Sequence, residues 1–298
     1  MQTTLVIMAA GMWSRYWWLK QIDGFGPNWE TILEYSIFDA IRAWFDHVVL
    51  VIRESFHQQF KDVLGSRFDN KIKVSYVYQE INPKVAGFES LPERNKPRWT
   101  WHAVLSAKEL VDWPFCVINA DDYYGVDWFK QMFDFLSTRC KENTCSMVWY
   151  ILQNTLSKNW TVNRGICKVD KEWNLENITE RLKVSQSSDT TASKPDGEET
   201  SIKSLVSMNF RWFHQSIFDV FETKFREFLK EKWSDEWAEF YITVPPNSFV
   251  HSKEKICEVL VSEDKRYGVT YAKDKPVTQE AILNLVDRWL YPSPLRNQ

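Results

Sequence analysis

Glycine is scarce in this chain. At the usual ~7% a protein of this length would hold about 21, and the 298 residues include only 9. Tryptophan, ordinarily among the rarest residues, reaches 16. No apolar run approaches the ~18 residues that a membrane helix needs. The opening MQTTLVIMAA is too short and too weakly flanked for a signal peptide, so a soluble cytoplasmic protein is expected, with no membrane partner. The five cysteines, Cys116, Cys140, Cys145, Cys167 and Cys257, form an odd set without CxxC spacing. They indicate neither a disulfide framework nor a zinc site. No basic run stands out, and a net charge of -3 argues against a nucleic-acid partner. Any anionic ligand must therefore be met locally. No Ser-His-Asp or Cys-His arrangement is evident either.

What is present is an alternation of short apolar runs with amphipathic stretches. Residues 4–9 and 47–52 have the composition of fully buried strands. Between them Thr31 and Glu34 have capping-box spacing, followed by Leu33, Ile37, Ala40, Ile41 and Trp44 on one helical face. A helix near 55–64, a strand 72–78, a helix near 103–110 and a strand 115–118 continue the series. Such alternation implies crossover connections and a mainly parallel sheet with helices on both faces, an α/β fold of three layers. Ligands of such sheets bind beyond the carboxyl ends of the strands, here the loops after Ala9 and after Ile118. Beyond about Met147 shorter strand-like runs suggest a mixed extension of the sheet. Residues 184–200 are almost free of apolar side chains and read as a surface loop or a partly disordered segment. Helices are expected at 218–233 and 277–290. The expected division is a core of 1–245, with a nucleotide-binding half 1–145 and an acceptor-binding half 146–245, and a small extension 246–298.

The first of those loops, Ala9-Ala10-Gly11-Met12-Trp13-Ser14-Arg15, is followed by Lys20. It combines backbone amides with two cations, which suits the crowded charge of a triphosphate. The second runs Asn119-Ala120-Asp121-Asp122. Adjacent carboxylates at a sheet edge need a screening cation, and Mg²⁺ is typically held by one or two carboxylates plus substrate phosphates. An aspartate pair can also cap the next helix. Gln79 follows a strand, and its primary amide can donate and accept at once.

The loop resembles the signature A-A-G-x-G-[ST]-R, followed by a lysine, of the nucleotidyltransferases that make nucleotide sugars. The short step from Arg15 to Lys20 is similar to the molybdopterin guanylyltransferase type of that loop. Lys96-Pro97-Arg98-Trp99-Thr100-Trp101-His102-Ala103 resembles the base-reading segment of the same family. The resemblance spans roughly 3–245, with Tyr267-Gly268-Val269-Thr270-Tyr271 similar to a narrower bacterial group. It implies the Rossmann-like nucleotide-diphospho-sugar transferase fold. By resemblance, Arg15 and Lys20 grip the triphosphate and are the catalytic cations. Ala9, Ala10, Gly11, Met12, Trp13, Ser14, Gln79, Thr100, Trp101 and Asn119 surround the nucleotide. Asp121 binds Mg²⁺, with Asp122 as second candidate, and Gly165, Glu180, Arg181 and Asn209 surround the acceptor. The implied reaction joins a nucleoside triphosphate, pyrimidine favoured, to a phosphorylated small molecule such as a sugar 1-phosphate. A glycosyltransferase of related fold shares the acidic motif but does not require the Arg15 and Lys20 loop. An inactive nucleotide-binding relative is the third reading.

The tryptophans fall where that resemblance expects glycine. This holds for Trp13, Trp17, Trp18, Trp29, Trp44, Trp99, Trp101, Trp149, Trp160, Trp173, Trp212 and Trp289, while Arg98, Arg211 and Arg266 stand where tryptophan is expected. Such a one-directional exchange is expected if UGA, read here as tryptophan, encodes glycine in the source organism and some arginine codons encode tryptophan. About a dozen conversions would also close the glycine deficit measured against the ~7% norm.

Overall fold

The computed structural model describes residues 2–11, 23–65, 67–80, 100–157, 161–193, 197–232, 256–261, 267–268 and 274–295. Strands β1 (Thr4–Met8), β2 (His47–Ile52), β3 (Lys73–Tyr78) and β4 (Phe115–Asn119) form a parallel block in the order β4-β1-β2-β3. In β1 alternate side chains enter opposite cores. Leu5 and Ile7 pack with α1 (Ile32–Arg42), α2 (His57–Leu64) and α4 (Trp128–Thr138), whereas Val6 packs with α3 (Thr100–Ser106) and α5 (Ile217–Lys232). Burial of both sheet faces is why these strands read as unbroken apolar runs.

The capping box at the start of α1 is present: Glu34 N–H donates to Thr31 Oγ1 at 3.1 Å, and Thr31 N–H donates to Glu34 Oε2 at 2.8 Å. The expected helix 103–110 instead starts at Thr100 and stops at Ser106, with a 3₁₀ turn over Lys108–Leu110. Ser106 Oγ donates back to the His102 carbonyl at 2.8 Å, a contact that competes with helix continuation.

The second half is antiparallel. Strand β11 (Leu205–Phe213) lies against β4 and carries β7 (Val162–Val169) and then β8 (Leu175–Gln186) on one side. It also pairs with β6 (Thr144–Ile151). The sheet is thus mixed. The expectation of a loop over 184–200 is corrected: β8 runs to Gln186, and β9 (Thr191–Ser193) and β10 (Glu199–Ser201) extend the sheet edge. Residues 194–196 lie outside the described residues. Hydroxyls close the β8–β9 turn, with Thr191 N–H donating to Ser188 Oγ at 3.0 Å, and buried Ala192 and Ile202 anchor it to the core.

The C-terminal residues join this framework. Strand β12 (Ile256–Val261) runs parallel to β6, and β13 (Tyr267–Gly268) pairs with β5 (Asp122–Tyr123). Helix α6 (Lys275–Asp287) and the following Tyr291 and Leu295 cover Phe25, Tyr35, Phe38 and Tyr123. Tyr291 Oη donates to buried Asp39 Oδ2 at 2.7 Å and meets Tyr123 Oη at 2.9 Å. Among the described residues no helix is long and apolar enough to cross a membrane.

Candidate functional site

The carboxyl ends of β1, β2, β3 and β4 form one edge. Met8 is in register with Asn119 on β4 and with Val51 on β2. Ala9 N–H donates to the Val51 carbonyl at 2.8 Å, Ala120 N–H to the Met8 carbonyl at 3.1 Å, and Gln79 N–H to the Ile52 carbonyl at 2.8 Å. Ala9, Ala10, Gln79, Asn119 and Asp121 therefore emerge along a single rim. Gly11 is exposed at the last described position of its loop. Met12, Trp13, Ser14, Arg15 and Lys20 lie outside the described residues, as do Trp17, Trp18, Arg98 and Trp99.

The two aspartates differ. Asp122 is buried, and its Oδ2 accepts from Asn119 Nδ2 at 2.9 Å and from Tyr124 Oη at 3.4 Å. Asp121 is half-buried at the end of β4. Neither caps the next helix, whose N-cap is Asp127. Among the described residues no group of three or more His, Cys, Asp and Glu is gathered for a metal. A donor set of one or two hard carboxylates, to be completed by water and phosphate, fits Mg²⁺ and not zinc.

Tyr124 joins this rim to the acceptor candidates. Its hydroxyl lies 3.4 Å from the Met208 carbonyl, and its ring packs on Phe210 with centroids 4.5 Å apart. Asn209, between those two, is left-handed (φ 59°) where the register of β11 against β6 breaks between Ser207 and Arg211. Such bulges re-aim a side chain. Gly165 pairs with Glu180 on one side and Ser207 on the other. A Cβ at Gly165 would come within 2.8 Å of Ile178 Cγ2 and 3.3 Å of Glu180 Oε2, so only glycine permits this approach. Arg181 is already paired with Glu198. Its neighbour across the ladder, Arg164, is held by the Thr155 hydroxyl at 2.9 Å and by the Asn163 carbonyl at 2.7 Å.

Thr100 opens α3, and Trp101 is fully buried against Phe221. The buried indole faces the core between α3 and α5. Burial alone pushes the His102 pKa down to about 4, which keeps the ring neutral.

Sequence reasoning missed Arg53. It follows β2 directly, is 7% exposed, and donates from Nε to the Ala10 carbonyl at 3.2 Å. Its Nη2 is buried with no hydrogen-bond partner among the described residues, and burial lowers its pKa. A charged residue after an apolar strand ordinarily reads as surface. The available signal was that β2 ends at the same rim as β1.

No protein-family model matches the chain, and no curated protein matches its sequence. Solved structures do match. A protein from Bacillus anthracis assigned as a glucose-1-phosphate thymidylyltransferase, in complex with sucrose, is 12% identical with a TM-score of 0.63, over 94% of this chain and 95% of that one. A UDP-glucose pyrophosphorylase complexed with UDP-glucose is 18% identical with a TM-score of 0.61, over 95% and 99%. HddC from Yersinia pseudotuberculosis is 14% identical with a TM-score of 0.56, over 93% and 98%. The chain has the fold of these proteins over nearly its whole length.

Proposed function

We propose that this protein is a nucleotidyltransferase that joins a nucleoside triphosphate to a phosphorylated small molecule, a sugar 1-phosphate in the first instance, and releases pyrophosphate. The observation that carries the reading is the pairing of β1 with β4, Met8 beside Asn119. It sets the start of the phosphate loop next to Asp121. The fold shared with sugar-phosphate nucleotidyltransferases supports the same reading.

In the reaction an oxygen of the acceptor phosphate attacks the α-phosphorus. The new P–O bond forms as the bond from the α-phosphorus to the bridging oxygen breaks, and pyrophosphate departs with that electron pair. The acceptor phosphate is anionic at neutral pH, so no general base is required. Asp121 is the proposed carboxylate for Mg²⁺, whose contribution when bound is to neutralise charge on the phosphates. Arg15 and Lys20 are assigned to the triphosphate, and the backbone from Ala9 to Ser14 to its close approach. Gln79, Thr100 and Asn119 are assigned to the nucleoside, with a pyrimidine favoured. Gly165, Glu180 and Asn209 are assigned to the acceptor. Arg181, which also pairs with Glu198, is assigned to the acceptor phosphate. On this reading 1–145 is the nucleotide half, 146–245 the acceptor half, and 246–298 an extension contributing β12, β13 and α6.

The test is a pyrophosphate-release assay over the common nucleoside triphosphates with a panel of sugar 1-phosphates and Mg²⁺. Acceptor-dependent release is expected. Turnover of a nucleotide sugar without such release would instead indicate a glycosyltransferase.

A further inference from the structure

Four tryptophans adopt a backbone conformation that suits glycine. Seven non-glycine residues among those described have positive φ, and Trp29 (65°), Trp44 (68°), Trp173 (64°) and Trp289 (61°) are four of them. Tryptophan is 16 of 298 residues, so its share of this set is far out of proportion. Asparagine, which supplies Asn70 and Asn209, visits this region naturally, whereas a bulky side chain there is an outlier.

The hydrogen bonding at each site identifies a glycine motif. After α1, Trp44 N–H donates to the Ile41 carbonyl at 3.1 Å and Phe45 N–H to the Ala40 carbonyl at 3.0 Å. After α6, Trp289 N–H donates to the Val286 carbonyl at 2.9 Å and Leu290 N–H to the Leu285 carbonyl at 3.0 Å. Both are Schellman helix ends with tryptophan at the left-handed position that glycine usually takes. Trp173 closes the β7–β8 hairpin: its N–H donates to the Asp170 carbonyl at 3.3 Å, and Asp170 N–H donates to the Asn174 carbonyl at 2.9 Å. That is a turn followed by a left-handed bulge residue, again a glycine position. Trp29 ends a turn in which its N–H donates to the Gly26 carbonyl at 3.1 Å.

These indoles are largely exposed. Trp289 is 92% exposed, Trp44 77% and Trp29 76%. Trp173 is 48% exposed and leans on Trp149, itself at an expected glycine. Buried members of the set fit poorly. The ring centroids of Trp101 and Phe221 are 3.3 Å apart, where aromatic pairs prefer about 4.5–7 Å. The buried Nε1 atoms of Trp149 and Trp212 have no hydrogen-bond partner among the described residues.

The reverse exchange occurs at Arg211. It is 0% exposed, with Nη2 donating to Ser207 Oγ at 2.7 Å and Nη1 3.9 Å from Met147 Sδ. Among the described residues its Nε has no partner and it takes part in no ion pair. An unpaired buried guanidinium is costly, and the same space suits a large apolar ring.

We infer that the protein made in its source organism carries glycine at 29, 44, 173 and 289 and tryptophan at 211. The inference needs no assumption about catalysis. Tandem mass spectrometry of the protein purified from that organism reads these positions directly. Glycine at the four sites is expected, and tryptophan at any of them would overturn the inference. The gene gives a second readout: UGA at all four codons supports it, and UGG at any refutes it. For the recombinant chain as written, Trp29→Gly, Trp44→Gly, Trp173→Gly and Trp289→Gly together should raise Tm by roughly 5 °C or more. An unchanged or lower Tm would show that the backbone does not select glycine there.

Discussion

Asn119 donates its side-chain amide to Asp122 at 2.9 Å and so fixes inward the second of two adjacent carboxylates. Asp121 is half-buried at the strand end and is the carboxylate proposed for the cation. Asp121→Asn should therefore abolish Mg²⁺-dependent pyrophosphate release more severely than Asp122→Asn, whose main effect should be a lower Tm. Kinetics against Mg²⁺ concentration check this. The reverse order of severity would move the metal site by one residue.

Arg53 holds the Ala10 carbonyl from a buried position in which Nη2 has no partner among the described residues. A cation retained at such a cost, beside a loop proposed to bind phosphates, suggests a role in positioning that loop. Arg53→Met should leave Tm unchanged or higher and weaken nucleoside triphosphate binding by roughly ten-fold, about 1.4 kcal/mol. Calorimetry on both proteins measures it. Binding within about two-fold of the parent would assign Arg53 to packing alone.

Some of this was legible in the sequence, for stated reasons. Thr31 and Glu34 announce a helix start because the capping box is local chemistry, and His47–Ile52 announces a strand because both its faces are buried. Residues 184–200 misled because β8, β9 and β10 pair at a sheet edge. There polar side chains are tolerated, and Val184 and Ala192, with Ile202 just beyond, face the core. Arg53 and the bulge at Asn209 were not legible as geometry. The rim contact of one and the left-handed backbone of the other depend on strands far apart in sequence.

Two half-buried histidines set an acid limit to stability. Burial pushes His47 down to about 4, with Lys73 adding to the shift and Asp112 opposing it, and burial likewise holds His102 at about 4. Unfolded, each titrates near ~6.5. Between these values the unfolded chain binds more protons than the fold, so the contribution is complete above pH ~6.5 and is lost as pH falls toward ~4. His47→Gln and His102→Gln should each flatten the decline of Tm over that window relative to the parent. A parallel decline in either variant would mean that the ring in question is not held neutral by the fold.

The phosphate loop should respond to restored glycines. A literal indole at Trp13 would occupy space the phosphates need, and Trp17, Trp18, Trp99 and Trp101 stand at other positions where glycine is expected along the proposed nucleotide site. The chain as written should therefore bind nucleoside triphosphates poorly. Replacing these five by glycine, together with the four at left-handed positions, should lower the triphosphate Kd by at least roughly ten-fold, or about 1.4 kcal/mol. On that background Lys20→Ala should reduce turnover by roughly ten-fold or more with Tm unchanged, because a cation on the triphosphate acts mainly on developing charge. The two arms separate the ideas. If the glycine form gains Tm but binds no nucleoside triphosphate, the residue assignment stands and the proposed reaction falls. If it binds and turns over but Lys20→Ala is within about two-fold of the parent, the reaction stands and the catalytic role of Lys20 does not.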